Sequence, residues 1–160
     1  MENLIIAPLT IESVHFPNVY LRMDGNGVAE LPQGSGTVNC QIGAHPWEKF
    51  KFKKYDDGTY TIESLAFPNT YLRMAGNDVK SFANDGSGTV NCQAVAKEYE
   101  HFKLHKQEDG TYTIESANFP GVYLRMDATN FKNYDGGGGG VVNCQFGAQY
   151  MEKFRISADL

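Results

Sequence analysis

One sequence phrase occurs three times along the chain, beginning at Thr10, Thr61 and Thr113. Its copies read TIESVHFPNVYLRM, TIESLAFPNTYLRM and TIESANFPGVYLRM, and a second phrase, VNCQ, follows each of them. The cysteines of successive VNCQ phrases lie 52 residues apart. A repeat of this length restricts the chain to folds in which one supersecondary unit is used three times.

Each repeat carries four strand signals, which in the second copy are EKFKFKK, TYTIESLAF, YLRMAG and TVNCQ. Alternation with a period of two is typical of strands, and no segment has a helical period. The second and third signals are joined by FPN, FPN and FPG. These tripeptides place Pro at the first central turn position and Asn or Gly at the second, which suits a hairpin turn with φ above zero there.

The two ends of the chain carry the two halves of one repeat. The C-terminal EKFRISADL has the first-strand pattern, and the N-terminal LTIES has the second. We therefore expect the last strand to complete the first repeat, because closure leaves no free sheet edge. The sequence predicts an all-β fold, a β-trefoil of twelve strands with pseudo-threefold symmetry. We expect one domain over 1–160, with repeats of about 1–47, 48–99 and 100–151 and with 152–160 closing the first.

Composition argues against several partners. The net charge is -5 and the basic residues are scattered, which does not favour nucleic-acid binding. No apolar run approaches the roughly 20 residues of a membrane helix, so we expect no membrane insertion. The start, MENLIIAPLT, lacks the features of a signal peptide. We expect a cytoplasmic protein, with non-classical export left open, that is a monomer or a small homo-oligomer.

Catalysis and metal binding find little support in the sequence. Three cysteines at equivalent positions, Cys40, Cys92 and Cys144, do not form a disulfide framework, and free buried thiols are expected. Their convergence on a metal is the less favoured alternative, because no His recurs beside them. No nucleophile elbow or phosphate-binding signature is present. The chain is therefore predicted not to be an enzyme, and to need no cofactor and no metal.

Several repeated residues are expected in the core, namely Leu21, Val38, Cys40, Phe50 and their counterparts. Glu12 and Arg22 lie on adjacent strands of one hairpin, and this placement predicts an ion pair that fixes the register, repeated as Glu63 with Arg73 and Glu115 with Arg125. An Asn follows each Gly-rich loop, and it either bonds loop backbone or contacts a ligand. These residues are Asn39, Asn91 and Asn143.

An aromatic residue recurs near an acidic one in the segment after NCQ. The pairs are Trp47 with Glu48, Tyr99 with Glu100, and Tyr150 with Glu152. This combination is typical of sugar sites, because an aromatic face covers the apolar side of a pyranose while carboxylates and amides bond its hydroxyls. A partly buried aromatic that closes the end of the barrel is the alternative interpretation.

The motif ES-x-x-FP-x-x-YLR followed by E-x-F resembles the repeat of the arabinose-binding β-trefoil domain of arabinofuranosidase B. The YLRM strand is similar, more loosely, to fascin-like trefoils. The first resemblance covers all three repeats and implies sugar contacts by the acidic residue of E-x-F, which is Glu48, Glu100 or Glu152 here. It also implies a His after YLR, where this chain has Met23, Met74 and Met126.

These observations predict a non-enzymatic carbohydrate-binding protein, a lectin whose partners are glycans or glycoconjugates and which has up to three related sites, one per repeat. The alternatives are a protein-interaction module, such as a fascin-like crosslinker or a trefoil protease inhibitor with NFKNYDGGGGG as its distinctive loop, and an engineered symmetric scaffold. The predicted ligand-binding residues are Asp24, Asn39, Gln41, Trp47, Glu48, Asn91, Gln93, Tyr99, Glu100, Asp127, Asn143, Gln145, Tyr150 and Glu152.

Overall fold

The computed structural model describes residues 4–28 and 34–158, and these residues form twelve β-strands and three short 3-10 turns. The strands are β1 (Leu4–Ser13), β2 (Val19–Asp24), β3 (Thr37–Ile42), β4 (Phe50–Lys54), β5 (Tyr60–Ser64), β6 (Thr70–Ala75), β7 (Thr89–Ala94), β8 (Phe102–Lys106), β9 (Tyr112–Ser116), β10 (Val122–Asp127), β11 (Val141–Phe146) and β12 (Phe154–Ala158). The 3-10 turns are Pro46–Glu48, Glu98–Glu100 and Tyr150–Glu152. Within the described ranges, no helix has the length and apolar character needed to cross a membrane.

Six strands form a closed antiparallel ring in the order β1, β4, β5, β8, β9 and β12, which returns to β1. The last strand pairs with the first from Ser13 opposite Phe154 to Leu9 opposite Ala158. It also meets β9 through Phe154 opposite Tyr112. The C-terminal strand β12 therefore lies between β1 and β9 and closes the ring.

The other six strands form three hairpins, β2 with β3, β6 with β7, and β10 with β11. Each hairpin is entered through the FP turn, whose third residue has a positive φ of 68° at Asn18, 66° at Asn69 and 85° at Gly121. In the first copy the Val19 N–H donates to the Phe16 carbonyl at 3.1 Å. The turn chemistry read from the sequence is confirmed, since Asn and Gly tolerate this left-handed conformation best.

The core consists of equivalent residues from the three repeats. The following side chains have no exposed surface: Ile11, Ile62 and Ile114; Leu21, Leu72 and Leu124; Met23, Met74 and Met126; Phe50, Phe102 and Phe154. Truncating one such Phe to Ala costs about 3–5 kcal/mol, so packing alone is enough to keep these positions alike. The ring of six strands, the three hairpins and this threefold core confirm the predicted β-trefoil.

Backbone bridges link each Gly-rich loop to the cysteine strand of a neighbouring repeat. The bridges join Gly36 to Cys92, Ser87 to Cys144, and Gly139 to Cys40. All three thiols are free and fully buried, as the sequence predicted, and burial raises the pKa of each to about 12. A Cβ added at Gly36 would overlap the Cys92 Sγ, so the loop can approach this closely only with glycine there.

Candidate functional site

Three cavities of similar size lie beside the 3-10 turns, one in each repeat. We call them site 1, site 2 and site 3 after their glutamates, Glu48, Glu100 and Glu152. Their volumes are about 250, 240 and 210 Å³. Each is lined by an Arg from the YLR strand, a Gln from the NCQ strand and residues of the 3-10 turn. These are Arg22, Gln41, Trp47 and Glu48; Arg73, Gln93, Tyr99 and Glu100; and Arg125, Gln145, Met151 and Glu152.

The three glutamates are held by the turns to which they belong. One carboxylate oxygen, Oε1, accepts the backbone N–H three residues earlier, at 2.7 Å for Glu48, 2.5 Å for Glu100 and 2.6 Å for Glu152. All three glutamate residues are at most 2% exposed. Burial raises their pKa, while the accepted N–H and the site arginine act in the opposite direction.

In sites 2 and 3 an arginine faces the second carboxylate oxygen of the buried glutamate. Arg73 Nε lies 3.8 Å from Glu100 Oε2, and the Arg125 to Glu152 distance is the same. In site 1 the charge of Arg22 favours the ionised form of the Glu48 carboxyl and so opposes the rise in its pKa that burial causes. Each site therefore holds one cation and one carboxyl group at the base of a small cavity.

The predicted hairpin ion pairs between these arginines and Glu12, Glu63 or Glu115 were wrong. A carboxylate oxygen of each of those glutamates instead accepts a backbone N–H of the FP turn at 2.7 Å. Glu63 is also 3.5 Å from Lys51, and Glu115 is 2.6 Å from His105. The register places Glu12 opposite Tyr20 and Arg22 opposite Asn39, which directs the arginine toward the other hairpin strand.

The three predicted Asn residues join the site arginine to the neighbouring loop. Asn39 accepts from Arg22 Nη1 at 3.1 Å and donates to the Gly137 carbonyl at 3.0 Å. Asn91 makes the same two contacts with Arg73 and Gly34. Asn143 makes them with Arg125 and Asp85. The oxygen and the nitrogen of each side-chain amide are therefore both bonded within the protein. This corresponds to the alternative in which the asparagine bonds loop backbone.

The NCQ glutamines of sites 1 and 3 bond the loop of the adjacent repeat. Gln41 Nε2 donates to the Asp135 carbonyl at 2.6 Å, and Gln145 Nε2 donates to the Ala83 carbonyl. Gln93 is oriented differently and donates to the Val95 carbonyl at 3.1 Å. Sites 1 and 3 are therefore composite, since loop residues of another repeat complete their walls. Those residues are Tyr134 and Gly136 in site 1, and Phe82 and Asn84 in site 3.

The aromatic residues of sites 1 and 2 contact the arginines directly. The Arg22 guanidinium carbon lies 4.7 Å from the Trp47 ring centroid, and the Arg73 to Tyr99 distance is 5.0 Å. In site 3 the equivalent position is Met151, whose sulfur is 3.3 Å from Arg125 Nη2. Tyr150 lines site 3 from the preceding position and is 57% exposed. The third repeat therefore has Met151 at the position of Trp47 and Tyr99, a difference that the sequence pairing of Tyr150 with Glu152 did not reveal.

The two predicted ligand aspartates, like the three asparagines, lie outside the cavity linings. Asp24 Oδ1 accepts the Asn26 N–H at 3.0 Å and so stabilises a turn. Asp127 Oδ2 lies 3.2 Å from Arg125 Nη2. The Met that follows YLR is fully buried in each repeat, so it belongs to the core and not to a cavity.

Sequence reasoning missed two kinds of residue that line the cavities. It assigned Arg22, Arg73 and Arg125 to the scaffold, although their repetition at one position after YL was a signal that could have found them. It also missed Tyr134 and Phe82, which come from loops that differ between repeats and reach their sites only through the fold. No group of three or more metal-binding side chains occurs among the residues that the structure describes.

Replacing the three site glutamates by Gln should change how stability depends on pH. Their folded-state pKa values are raised above the unfolded value of about 4.3, so the folded state binds more protons in that window and loses stability as pH rises through it. The triple Gln variant lacks this loss. Its free energy of unfolding relative to the native chain should rise between pH 4 and pH 7, as measured by urea denaturation. A difference that stays constant with pH would contradict the buried ionisation.

The ring of six strands, the hairpins and the three cavities define the class: the chain is a β-trefoil protein. Solved structures with this fold include a mosquitocidal holotoxin (TM-score 0.72, 15% identity, covering 96% of this chain and 17% of that chain). The designed threefold-symmetric protein ThreeFoil has a TM-score of 0.71 and 15% identity over 96% of this chain and 99% of its own. SeviL bound to asialo-GM1 saccharide has a TM-score of 0.62 and 15% identity over 97% of this chain and 99% of its own. These similarities show the fold alone.

The family is shown by the sequence itself. The profile of the Alpha-L-arabinofuranosidase B (ABFB) domain matches residues 54–138, which is more than half of the chain. The chain belongs to this domain family. Comparison with curated proteins gives no match.

Proposed function

We propose that this chain is a non-enzymatic carbohydrate-binding protein, a lectin with up to three sugar sites, one in each repeat. The observation that carries the proposal is the threefold recurrence of one cavity, each with an arginine, a glutamine and a buried glutamate. Membership of the ABFB domain family supports a sugar ligand. The solved complex of the structurally similar SeviL with a saccharide also supports it.

The chemistry of the cavities suits sugar hydroxyl groups. A hydroxyl both donates and accepts, so it can bond a carboxylate oxygen and a guanidinium N–H at the same time. The volumes of 210 to 250 Å³ lie below the roughly 300–1,000 Å³ of pockets for drug-sized ligands. One sugar ring at the end of a glycan is the ligand that each cavity fits.

The three sites would act together on a surface that carries many glycans. Linking several weak sites in one rigid body raises the overall avidity by as much as about 10²–10⁴-fold when the sites can be engaged simultaneously. Repetition of the site then has a functional reason in addition to the packing of the core.

The distinctive loop proposed for a protease inhibitor is held down on the first repeat. The Asp135 and Gly137 carbonyls accept from Gln41 and Asn39, and Gly139 bridges to Cys40. An inhibitory loop needs to protrude toward its target, whereas this segment forms part of the wall of site 1. The geometry therefore supports the sugar-binding proposal over the inhibitor.

The fluorescence of Trp47 should report binding at site 1. It is the only tryptophan of the chain, and it lines the cavity beside Glu48. A glycan array probed with the purified protein identifies a ligand, and titration of that ligand should quench or shift the Trp47 emission with saturation. Trp47→Phe keeps an aromatic ring and serves as the silent control. Array binding with no emission change at saturating ligand would remove site 1 from the proposal.

A further inference from the structure

Site 2 contains two buried oxygen atoms that have no hydrogen-bond partner among the described residues, Gln93 Oε1 and Glu100 Oε2. Gln93 is 5% exposed and Glu100 is not exposed at all, and both line the cavity. A buried acceptor without a donor is costly, and such groups are rare in folded proteins. These two atoms therefore indicate where a ligand would supply donors.

The same glutamine oxygen is satisfied in the other two sites. Gln41 Oε1 accepts the Ile42 N–H at 2.9 Å. Gln145 Oε1 accepts the N–H groups of Phe146 and Ala83, each at 3.0 Å. Site 2 thus differs from its counterparts in having a glutamine oxygen without a donor, beside a carboxylate oxygen that lies 3.8 Å from Arg73 Nε.

A second cavity of about 430 Å³ adjoins site 2 on the other side of its 3-10 turn. Both cavities are lined by Lys97 and Glu98. We call the second cavity the repeat-2 cleft, and its further lining residues are Asp57, Thr59, His101, Ala117 and Asn118. The Thr59 hydroxyl donates to Asp57 at 2.7 Å and lies 3.0 Å from His101 Nδ1, which holds a polar wall in place.

The corresponding position in repeat 3 is filled by side chains. Tyr150 stands where repeat 2 has Glu98, and His15 stands where it has Asn118. Their ring centroids are 4.6 Å apart, so the two rings close the space between the turn and the neighbouring repeat. Glu98 and Asn118 are exposed and leave this space open in repeat 2.

We propose that site 2 and the repeat-2 cleft together bind two linked, neutral sugar rings. Adjacent hydroxyls of the first ring donate to Gln93 Oε1 and Glu100 Oε2, and the second ring crosses the Lys97–Glu98 turn into the cleft. This inference rests on the proposed sugar-binding function.

The charges around site 2 select the neutral ligand. Arg73 and Lys97 line the cavity together with the carboxyl groups of Glu98 and Glu100, so the formal charges balance and neither a cationic nor an anionic sugar finds an excess of opposite charge. A ligand carboxylate has no proton with which to satisfy the two acceptors, and so it would leave them unpaired. Neutral hydroxyls donate to the free oxygens, and they also accept from Arg73.

The test compares matched sugars at site 2 by NMR. The side-chain amide signal of Gln93 is followed while neutral methyl monosaccharides and the matching methyl disaccharides are titrated into the full chain. The disaccharide should bind about tenfold more tightly, which corresponds to one or two added hydrogen bonds. The double variant Glu98→Tyr with Asn118→His transfers the repeat-3 rings into the cleft and should bring this ratio close to one. The control His15→Asn alters a residue outside the three sites and the cleft, so it leaves both intact and should keep the preference.

A preference for the disaccharide that disappears only in the first variant supports the two-ring site. A ratio that is the same in all three proteins overturns it. Sugars that shift signals at sites 1 and 3 but leave the Gln93 amide unchanged also overturn it, while the proposed lectin function stands. If no sugar shifts a signal at any site, both proposals fail.

Discussion

A chain truncated after Lys153 should lose cooperative folding. The deletion removes β12, which pairs with β1 from Leu9 to Ser13 and also meets β9. It removes Phe154, a fully buried core residue whose loss alone costs about 3–5 kcal/mol. A domain is stable by only about 5–15 kcal/mol, and the deletion also opens the six-stranded ring and exposes two strand edges.

Thermal unfolding followed by circular dichroism checks this expectation. The full chain should show one cooperative transition, and the truncated chain should show none at any temperature. Arg155→Ala is the matched control, because this exposed side chain lies on the same strand and its loss leaves the ring closed. Cooperative melting of the truncated chain at the temperature of the full chain would show that the ring does not depend on β12.

Changing all three site glutamates to Gln should abolish avid glycan binding. Each single substitution removes a charged hydrogen bond to a sugar hydroxyl, which is worth about 1–3 kcal/mol at that site. Because the sites reinforce one another on a multivalent surface, the triple variant should lose binding far more steeply than any single variant. The measurement is surface plasmon resonance on an immobilised multivalent form of the best array ligand.

The second repeated set of glutamates provides the control for this experiment. Glu12, Glu63 and Glu115 are also one per repeat, but they bond the FP turns and lie outside the three cavity linings. Their change to Gln should leave the avidity close to that of the native chain. Equal losses from the two triple variants, measured on folded protein, would place binding away from the cavities.

The fold could be predicted from the sequence because its signals are local and repeated. A positive φ at Asn18 follows from the FPN turn, and closure by Phe154–Ala158 follows from a first-strand pattern left without its second strand. The core layers follow from alternation in strands that are copied three times. Because the same local pattern occurs in each repeat, one set of turn and strand signals predicts the fold of the whole chain.

The candidate sites were less predictable, because they depend on contacts between repeats. Site 1 is completed by Tyr134, more than 80 residues beyond Glu48 in the chain, and nothing local to either residue indicates that contact. The partner of Arg22 was predicted wrongly because a strand residue can bond a side chain on either neighbouring strand. Arg22 bonds Asn39 on the other strand of its hairpin. The reorientation of Gln93 has no counterpart in the other repeats and no signal in its VNCQ phrase.

The three proposed sugar sites are tested most directly by NMR of ¹⁵N-labelled protein. The Nε–H signals of Arg22, Arg73 and Arg125 are followed during titration with a single-ring form of the best array ligand. These arginines line the three proposed sites and face the buried carboxyl groups. All three signals should show saturable shifts, and the indole signal of Trp47 should move together with that of Arg22. Sugar binding that shifts none of the three arginine signals would contradict the three proposed sites.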